Sequence, residues 1–198
     1  QKLAKLFSKT AIEVCDGQQL DVDFETRNDV TIEEYIQMIS LKTSVLIGAA
    51  LKMGAIVSEA DENESEKLYD FGLNLGIAFQ LQDDFLDTYG NPETFGKQVA
   101  GDIIENKKTY LFLKSLELAT PQDKTTLNRL YQNKLEHNDD KITVVRELFN
   151  KYEIPNYIKG QIFDYSQSAF SIVEDMNISK NTKQGLLAFG EALMTRNV

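Results

Sequence analysis

The chain is poor in the residues that make most enzymes legible. Its 198 residues include one cysteine, one histidine, three prolines and no tryptophan. One thiol, Cys15, excludes an internal disulfide, and the expected compartment is the reducing cytosol. Its apolar neighbours mark Cys15 as a core thiol. The lone histidine, His137, stands among Glu136, Asn138, Asp139 and Asp140 and reads as a surface residue. With no second histidine, the scattered serines and threonines have no partner for a nucleophilic triad. Positive charge is scarce too: 21 Lys and Arg face 31 Asp and Glu, for a formal net charge of −10. A nucleic-acid partner is therefore not expected, because phosphate backbones are bound by basic surfaces. The most apolar stretch, residues 41–57, carries Lys42 and Lys52 and is too short and too charged to span a membrane. No secretory leader is expected.

With 42% hydrophobic residues the chain can bury a core, and a single domain is expected. The few prolines, Pro92, Pro121 and Pro155, leave long segments free for helix. Leu3, Leu6, Phe7, Ala11, Ile12 and Cys15 already follow helical spacing with no cap ahead of them. The first helix thus reads as cut, and the chain as a piece of a larger protein. Thr31-x-x-Glu34 is a capping box that opens a helix running to about Ser58. Asn63 or Ser65 is the expected cap of the next helix, which stops near Tyr89-Gly90-Asn91-Pro92. A loop over 96–108 follows, then helices over 109–119 and from Thr120-Pro121 to about Leu135. A polar linker over 137–140 precedes helices over 141–152, 155–175 and 179–196. No segment alternates with period two, so the fold class is all-α.

The most informative stretch is Phe79-Gln80-Leu81-Gln82-Asp83-Asp84-Phe85-Leu86-Asp87. In a helix, Gln80, Asp83, Asp84 and Asp87 share one narrow arc, while Leu68, Phe71, Leu75, Phe79 and Leu86 gather on roughly the opposite side. Acids on a helix commonly form a solvated face. Here aromatics interrupt them and two mostly apolar turns precede them, which argues for a site. Three like charges so close call for a cation, and hard ions such as Mg²⁺ take carboxylate oxygens while keeping places for water or phosphate. Gly72 and Gly76 lie inside the same helix, at up to ~1 kcal/mol each relative to alanine. Such glycines suit a place where another group must come close. The pattern does not fit an EF-hand loop.

Lysines form a second constellation. Lys42 falls mid-helix with Met38, Val45, Leu46 and Ala49 on its face. Its ammonium either meets an anion or reaches along its stem to solvent. Lys97 and Lys107 lie in the loop after the acidic helix, an arrangement suited to a metal-bound diphosphate. Lys108 reads as solvated.

These residues resemble the trans-type isoprenyl diphosphate synthases (polyprenyl synthetases). The 79–87 stretch is similar to that family's second aspartate-rich motif, FQ-x-x-DD-x-x-D. Gly17-Gln18-Gln19-Leu20-Asp21 resembles its GQ-x-x-D stretch and Lys42-Thr43 its KT pair. Gly96-Lys97, Gly101-Asp102-Ile103 and Asn106-Lys107 resemble its GK…D…K segment. The resemblance implies an isoprenoid-synthase-type helical bundle, with residues 1–198 as its C-terminal part. It implies that Asp83 ligates Mg²⁺, with Asp84 and Asp87 acting directly or through metal-bound water. Lys42, Lys97 and Lys107 would neutralise diphosphate oxygens. Thr43 and Gln80 would lie beside the reacting carbon, and Gln18 and Asp21 would line the same cavity. The implied reaction condenses an allylic diphosphate with isopentenyl diphosphate in a cytoplasmic homodimer. The family's first aspartate-rich motif has no counterpart here, so the chain alone is expected to be inactive. A class I terpene cyclase and a non-catalytic helical subunit are the rival readings. The symmetric DD-x-x-D with its lysine loop weighs against the first, and the intact acids and lysines against the second.

Overall fold

Helix is the only regular structure among the described residues, which in this computed structural model are 1–91, 99–132 and 138–195. In chain order they form α1 (Lys2–Thr26), α2 (Ile32–Ile39), a π-helical turn (Ser40–Ser44), α3 (Val45–Val57) and α4 (Glu62–Tyr89). Then come α5 (Gly101–Ile104), α6 (Tyr110–Leu118), α7 (Pro121–Gln132), α8 (Asn138–Lys151), α9 (Ile154–Glu174) and α10 (Lys180–Met194). The all-α expectation holds. The expected linker over 137–140 is corrected at Asn138, Asp139 and Asp140, which form the first turn of α8, where acids complement the helix dipole. His137 lies outside the described residues.

Local signals explain several boundaries. The capping box forms: the Thr31 N–H donates to Glu34 Oε2 at 2.9 Å and the Glu34 N–H to Thr31 Oγ1 at 3.2 Å. The Thr31 amide first, then Arg27, hold the Glu34 carboxyl below its ordinary pKa. The cap of α4 is neither Asn63 nor Ser65 but Asp61, whose Oδ1 accepts the Glu64 N–H at 3.0 Å. Aspartate at the residue before the helix reaches the third amide, which a residue inside the first turn cannot. α3 ends in a Schellman motif: Ala60 N donates to Ala55 O at 3.0 Å and Glu59 N to Ile56 O at 3.2 Å, with Glu59 left-handed at φ 60°.

The contacts divide the chain into two compact units. The first comprises Gln1–Val22, Ile36–Gln80 and Gln161–Arg196. Its core packs Phe71 and Leu75 of α4 on Ala169 and Val173 of α9, with Leu51, Leu68, Leu186 and Leu187 around them. Burying each such large apolar side chain contributes ~1.5–3 kcal/mol. Glycines let the helices of this unit cross at backbone distance. A Cβ on Gly72 would lie 2.7 Å from Gly48 Cα, and one on Gly76 would lie 2.8 Å from Ser44 Cα. This is the close approach that the two in-helix glycines led us to expect. Residues 36–57 of the helical run Ile32–Val57 belong to the same unit. By length and composition alone that run could cross a membrane. Within the unit, however, its Lys42 and Lys52 pair with Asp21 and Glu66 and its Gly48 packs on α4.

Cys15 is exposed, not a core thiol. The buried residues of α1 in this unit are Thr10 and Gly17, two turns apart, and Cys15 lies off that seam. Phe7 and Ile12, 66% and 63% exposed, are off it too.

The second unit comprises Asp23–Tyr35 and Leu81–Gly160. Leu81, Leu111, Leu127, Val145, Phe149, Ile154 and Ile158 are fully buried in it. Phe112 stacks on Tyr131 with centroids 3.9 Å apart. Lys108 is not solvated as expected. Its Nζ donates to Phe24 O at 2.6 Å and Glu25 O at 3.2 Å, a cation on carbonyls at the end of α1. Burial pushes its ammonium below its ordinary pKa.

Candidate functional site

The expected site residues fall in both units, and each set is described within its own. In the first unit, Gly17, Gln18 and Asp21 lie on α1, Lys42 and Thr43 in the π-helical turn, and Gln80 on α4. Such a turn widens the helix by one residue and often marks a functional position. Gly17 sits against it so closely that a Cβ would lie 2.3 Å from the Lys42 backbone nitrogen. One turn further along α1, Asp21 Oδ2 accepts from Lys42 Nζ at 2.6 Å. The Gly-Gln-x-x-Asp spacing thus has a physical reading: glycine admits the turn, and the aspartate one helical turn later meets its lysine. Of the two alternatives for Lys42, the anion is the one observed. Thr43 and Gln80 are half-buried and Gln18 is exposed.

In the second unit, Asp83, Asp84 and Asp87 occupy the last turns of α4. Asp84 is only 7% exposed. Its Oδ2 accepts from the Tyr35 hydroxyl, and the Tyr110 amide at the start of α6 supports its charged form. Burial still dominates and pushes its carboxyl well above the ordinary range, with Asp102 adding to the shift. Asp87 Oδ2 accepts the Asp102 N–H at 3.0 Å, at the start of α5. Its carboxyl is pushed up to about 6, by burial first and by Asp102 second. Two of the three expected metal-binding acids therefore also sit on helix N-termini. Lys107 Nζ lies 3.0 Å from Asp102 Oδ1 and 3.1 Å from Glu105 Oε2. Lys97 lies outside the described residues.

The sequence profile of the family described as "Polyprenyl synthetase" matches residues 1–148. The chain is a polyprenyl synthetase family member. It is 35% identical over 188 residues to the short chain isoprenyl diphosphate synthase of Methanothermobacter thermautotrophicus, covering 94% of this chain and 56% of that one. The crystal structure of a geranylgeranyl pyrophosphate synthase matches with a TM-score of 0.92 and 48% identity, over 100% of this chain and 61% of that one. A polyprenyl synthase from Caulobacter crescentus, complexed with calcium and isoprenyl diphosphate, matches with a TM-score of 0.90 and 26% identity, over 100% and 60%. This polyprenyl synthetase chain thus spans a little over half the length of the curated relative it matches.

One residue of this candidate site was quoted within a motif in the sequence but given no role there. Asp102 raises the carboxyls of both Asp84 and Asp87, and its own carboxyl is pushed up by burial. The signal was its place in Gly101-Asp102-Ile103, but a single aspartate within an expected loop carries no periodicity. The donor set suits a divalent cation: hard oxygens whose negative charge is disfavoured chiefly by burial. Among the described residues no three acidic, histidine or cysteine side chains form a ready-made metal cage. An open site completed by phosphate oxygens is how Mg²⁺ is usually bound.

Proposed function

We propose that this polyprenyl synthetase condenses an allylic diphosphate with isopentenyl diphosphate to give a longer trans-prenyl diphosphate. The carrying observation is the crowding of Asp84, Asp87 and Asp102 in surroundings that disfavour their negative charge, with Lys107 beside them. Carboxylates held so are stabilised by a cation, whose remaining positive charge can then hold a polyanion. The relatives named as isoprenyl and geranylgeranyl diphosphate synthases support the same reading, as does the relative complexed with calcium and isoprenyl diphosphate.

In this reading Asp83, with Asp84 and Asp87 directly or through bound water, would hold a divalent cation, Mg²⁺, which would supply charge neutralisation for the departing diphosphate. Lys107 exchanges part of its pairing with Asp102 and Glu105 for diphosphate oxygens. In the first unit, Lys42, which pairs with Asp21, is the candidate ammonium for diphosphate oxygens. Within that unit, Thr43 and Gln80 are the candidates to present dipoles to a carbon that gains positive charge. The carbon–oxygen bond breaks, the isopentenyl double bond attacks, and the departing diphosphate accepts the proton. Residues 1–198 act as the C-terminal part of the synthetase domain, and the working form is a homodimer in the cytoplasm. The exposed Leu3, Phe7 and Val57 support association with a further protein surface.

The test is calorimetric titration of inorganic diphosphate with and without Mg²⁺. Binding should require Mg²⁺ and be lost in Asp83→Ala. Binding indifferent to both would overturn the proposal. The chain alone should give no radiolabelled product from geranyl diphosphate and isopentenyl diphosphate, and detectable condensation would refute its expected inactivity.

A further inference from the structure

We infer that Lys141 is a positioning residue for the acid cluster, its buried ammonium holding the C-terminal end of α5 and with it the placement of Asp102 and Lys107. Lys141 lies on α8 and is 1% exposed. Its Nζ donates to Ile103 O, to Asn106 Oδ1 at 2.6 Å and, at 3.5 Å, to Ile104 O. The Tyr131 ring lies beneath it at 5.1 Å. All three acceptors belong to residues 103–106, the end of one four-residue helix and the turn after it.

That geometry decides between two roles. A buried ammonium without a carboxylate partner is expensive, and a methionine of similar length would fill the same space without that penalty. Burial alone pushes the Lys141 ammonium below its ordinary pKa, so the cost is present. What the ammonium adds is a tether. α5 is a single turn, too short to be stable by its own hydrogen bonds. It is flanked by left-handed residues, Ala100 at φ 65° and Asn106 at φ 63°. Its start is fixed by Asp87, which accepts the Asp102 N–H. Its end is fixed by Lys141, a cation on C-terminal carbonyls, where the helix dipole favours one. Asp102 and Lys107 hang on this clamped turn: the Lys107 N–H donates to Asp102 O at 2.9 Å. Release of one clamp shifts both charged groups with respect to Asp87. Lys141 acts through its neighbours and touches no reacting atom. Its consequence for ligand binding rests on the function proposed above.

Lys141→Met and the wild type should be compared by hydrogen exchange and by titration with inorganic diphosphate at saturating Mg²⁺. The expected result is faster exchange confined to residues 101–107, with affinity reduced by about 10-fold or more, as for other outer supports of a metal site. Unchanged exchange there, or a uniform rise across the chain with unchanged affinity, would overturn the inference. If the wild type binds no diphosphate, the proposed function fails, while the exchange pattern still decides whether Lys141 clamps α5. Should Lys141→Met not fold, Asn106→Gly removes one acceptor and keeps the left-handed backbone. It should weaken diphosphate binding in the same direction, and wild-type affinity in that variant would overturn the inference.

Discussion

Gly17→Ala and Gly54→Ala are the same chemical change in helical backbone, and the structure requires them to differ in sign. At Gly54 a new Cβ meets nothing within 4 Å. Only the gain in helix propensity remains, ~1 kcal/mol. At Gly17 the new carbon would stand 2.3 Å from the Lys42 nitrogen and 2.7 Å from Leu41 C and Lys42 Cα. Ordinary contacts between such atoms need roughly 3.5–4.0 Å, so one backbone must withdraw by more than ~1 Å. Both partners are main chain, so no rotamer change relieves the clash. Overpacking of this kind costs ~1–3 kcal/mol, and this case belongs at the upper end. After the propensity gain, Gly17→Ala should lose ~2 kcal/mol, about 3 kcal/mol below Gly54→Ala. With a urea slope of ~2 kcal/mol/M, the two unfolding midpoints should differ by more than ~1 M. Urea titration followed by circular dichroism measures this directly. If Gly17→Ala unfolds at or above the wild-type midpoint, the backbone contact between α1 and the π-helical turn does not exist as described. The pairing of Asp21 with Lys42 one turn away would lose its basis with it.

Glu59 occupies the left-handed end of α3, where a side chain costs ~1–2 kcal/mol. Glu59→Gly should therefore raise stability by ~1 kcal/mol, and an unchanged or lowered melting temperature would contradict the Schellman assignment. A pH dependence follows from Asp87. Its folded-state pKa is raised, by burial first and Asp102 second, to about 6. The folded state therefore takes up the proton more readily than the unfolded one. The stability that proton provides is full below the unfolded carboxylate pKa and lost as pH rises through about 6. In chelator, the wild type should lose stability relative to Asp87→Asn between pH 5 and 7.5, and parallel pH profiles would refute it.

What could be read from the residues divides by the range of the interaction. The capping box at Thr31 and Glu34, and the stop after Tyr89, are local, and both formed where expected. The in-helix glycines correctly announced a close neighbour, though not that the neighbours would be Gly48 and Ser44. Periodicity placed the acids on α4, but could not show that Asp84 and Asp87 meet the starts of α6 and α5. Those contacts join residues far apart in sequence. Cys15 and Lys108 failed for the same reason. A helix wheel gives the apolar side of α1 but not which seam is covered, and no local rule tells a lysine that carbonyls of Phe24 and Glu25 await it. The π-helical turn at Lys42 left no compositional trace.

The double duty of Asp84 and Asp87 governs how mutants of this protein should be interpreted. Each carboxylate meets the start of a helix, and each is also one of the acids proposed to face the cation. An alanine at either position thus confounds two measurements, since a silent enzyme and a frayed helix would arrive in the same tube. Asparagine retains an acceptor oxygen for the waiting amide while discarding the charge. The comparison of amide with methyl, and not of mutant with parent, separates chemistry from scaffolding here.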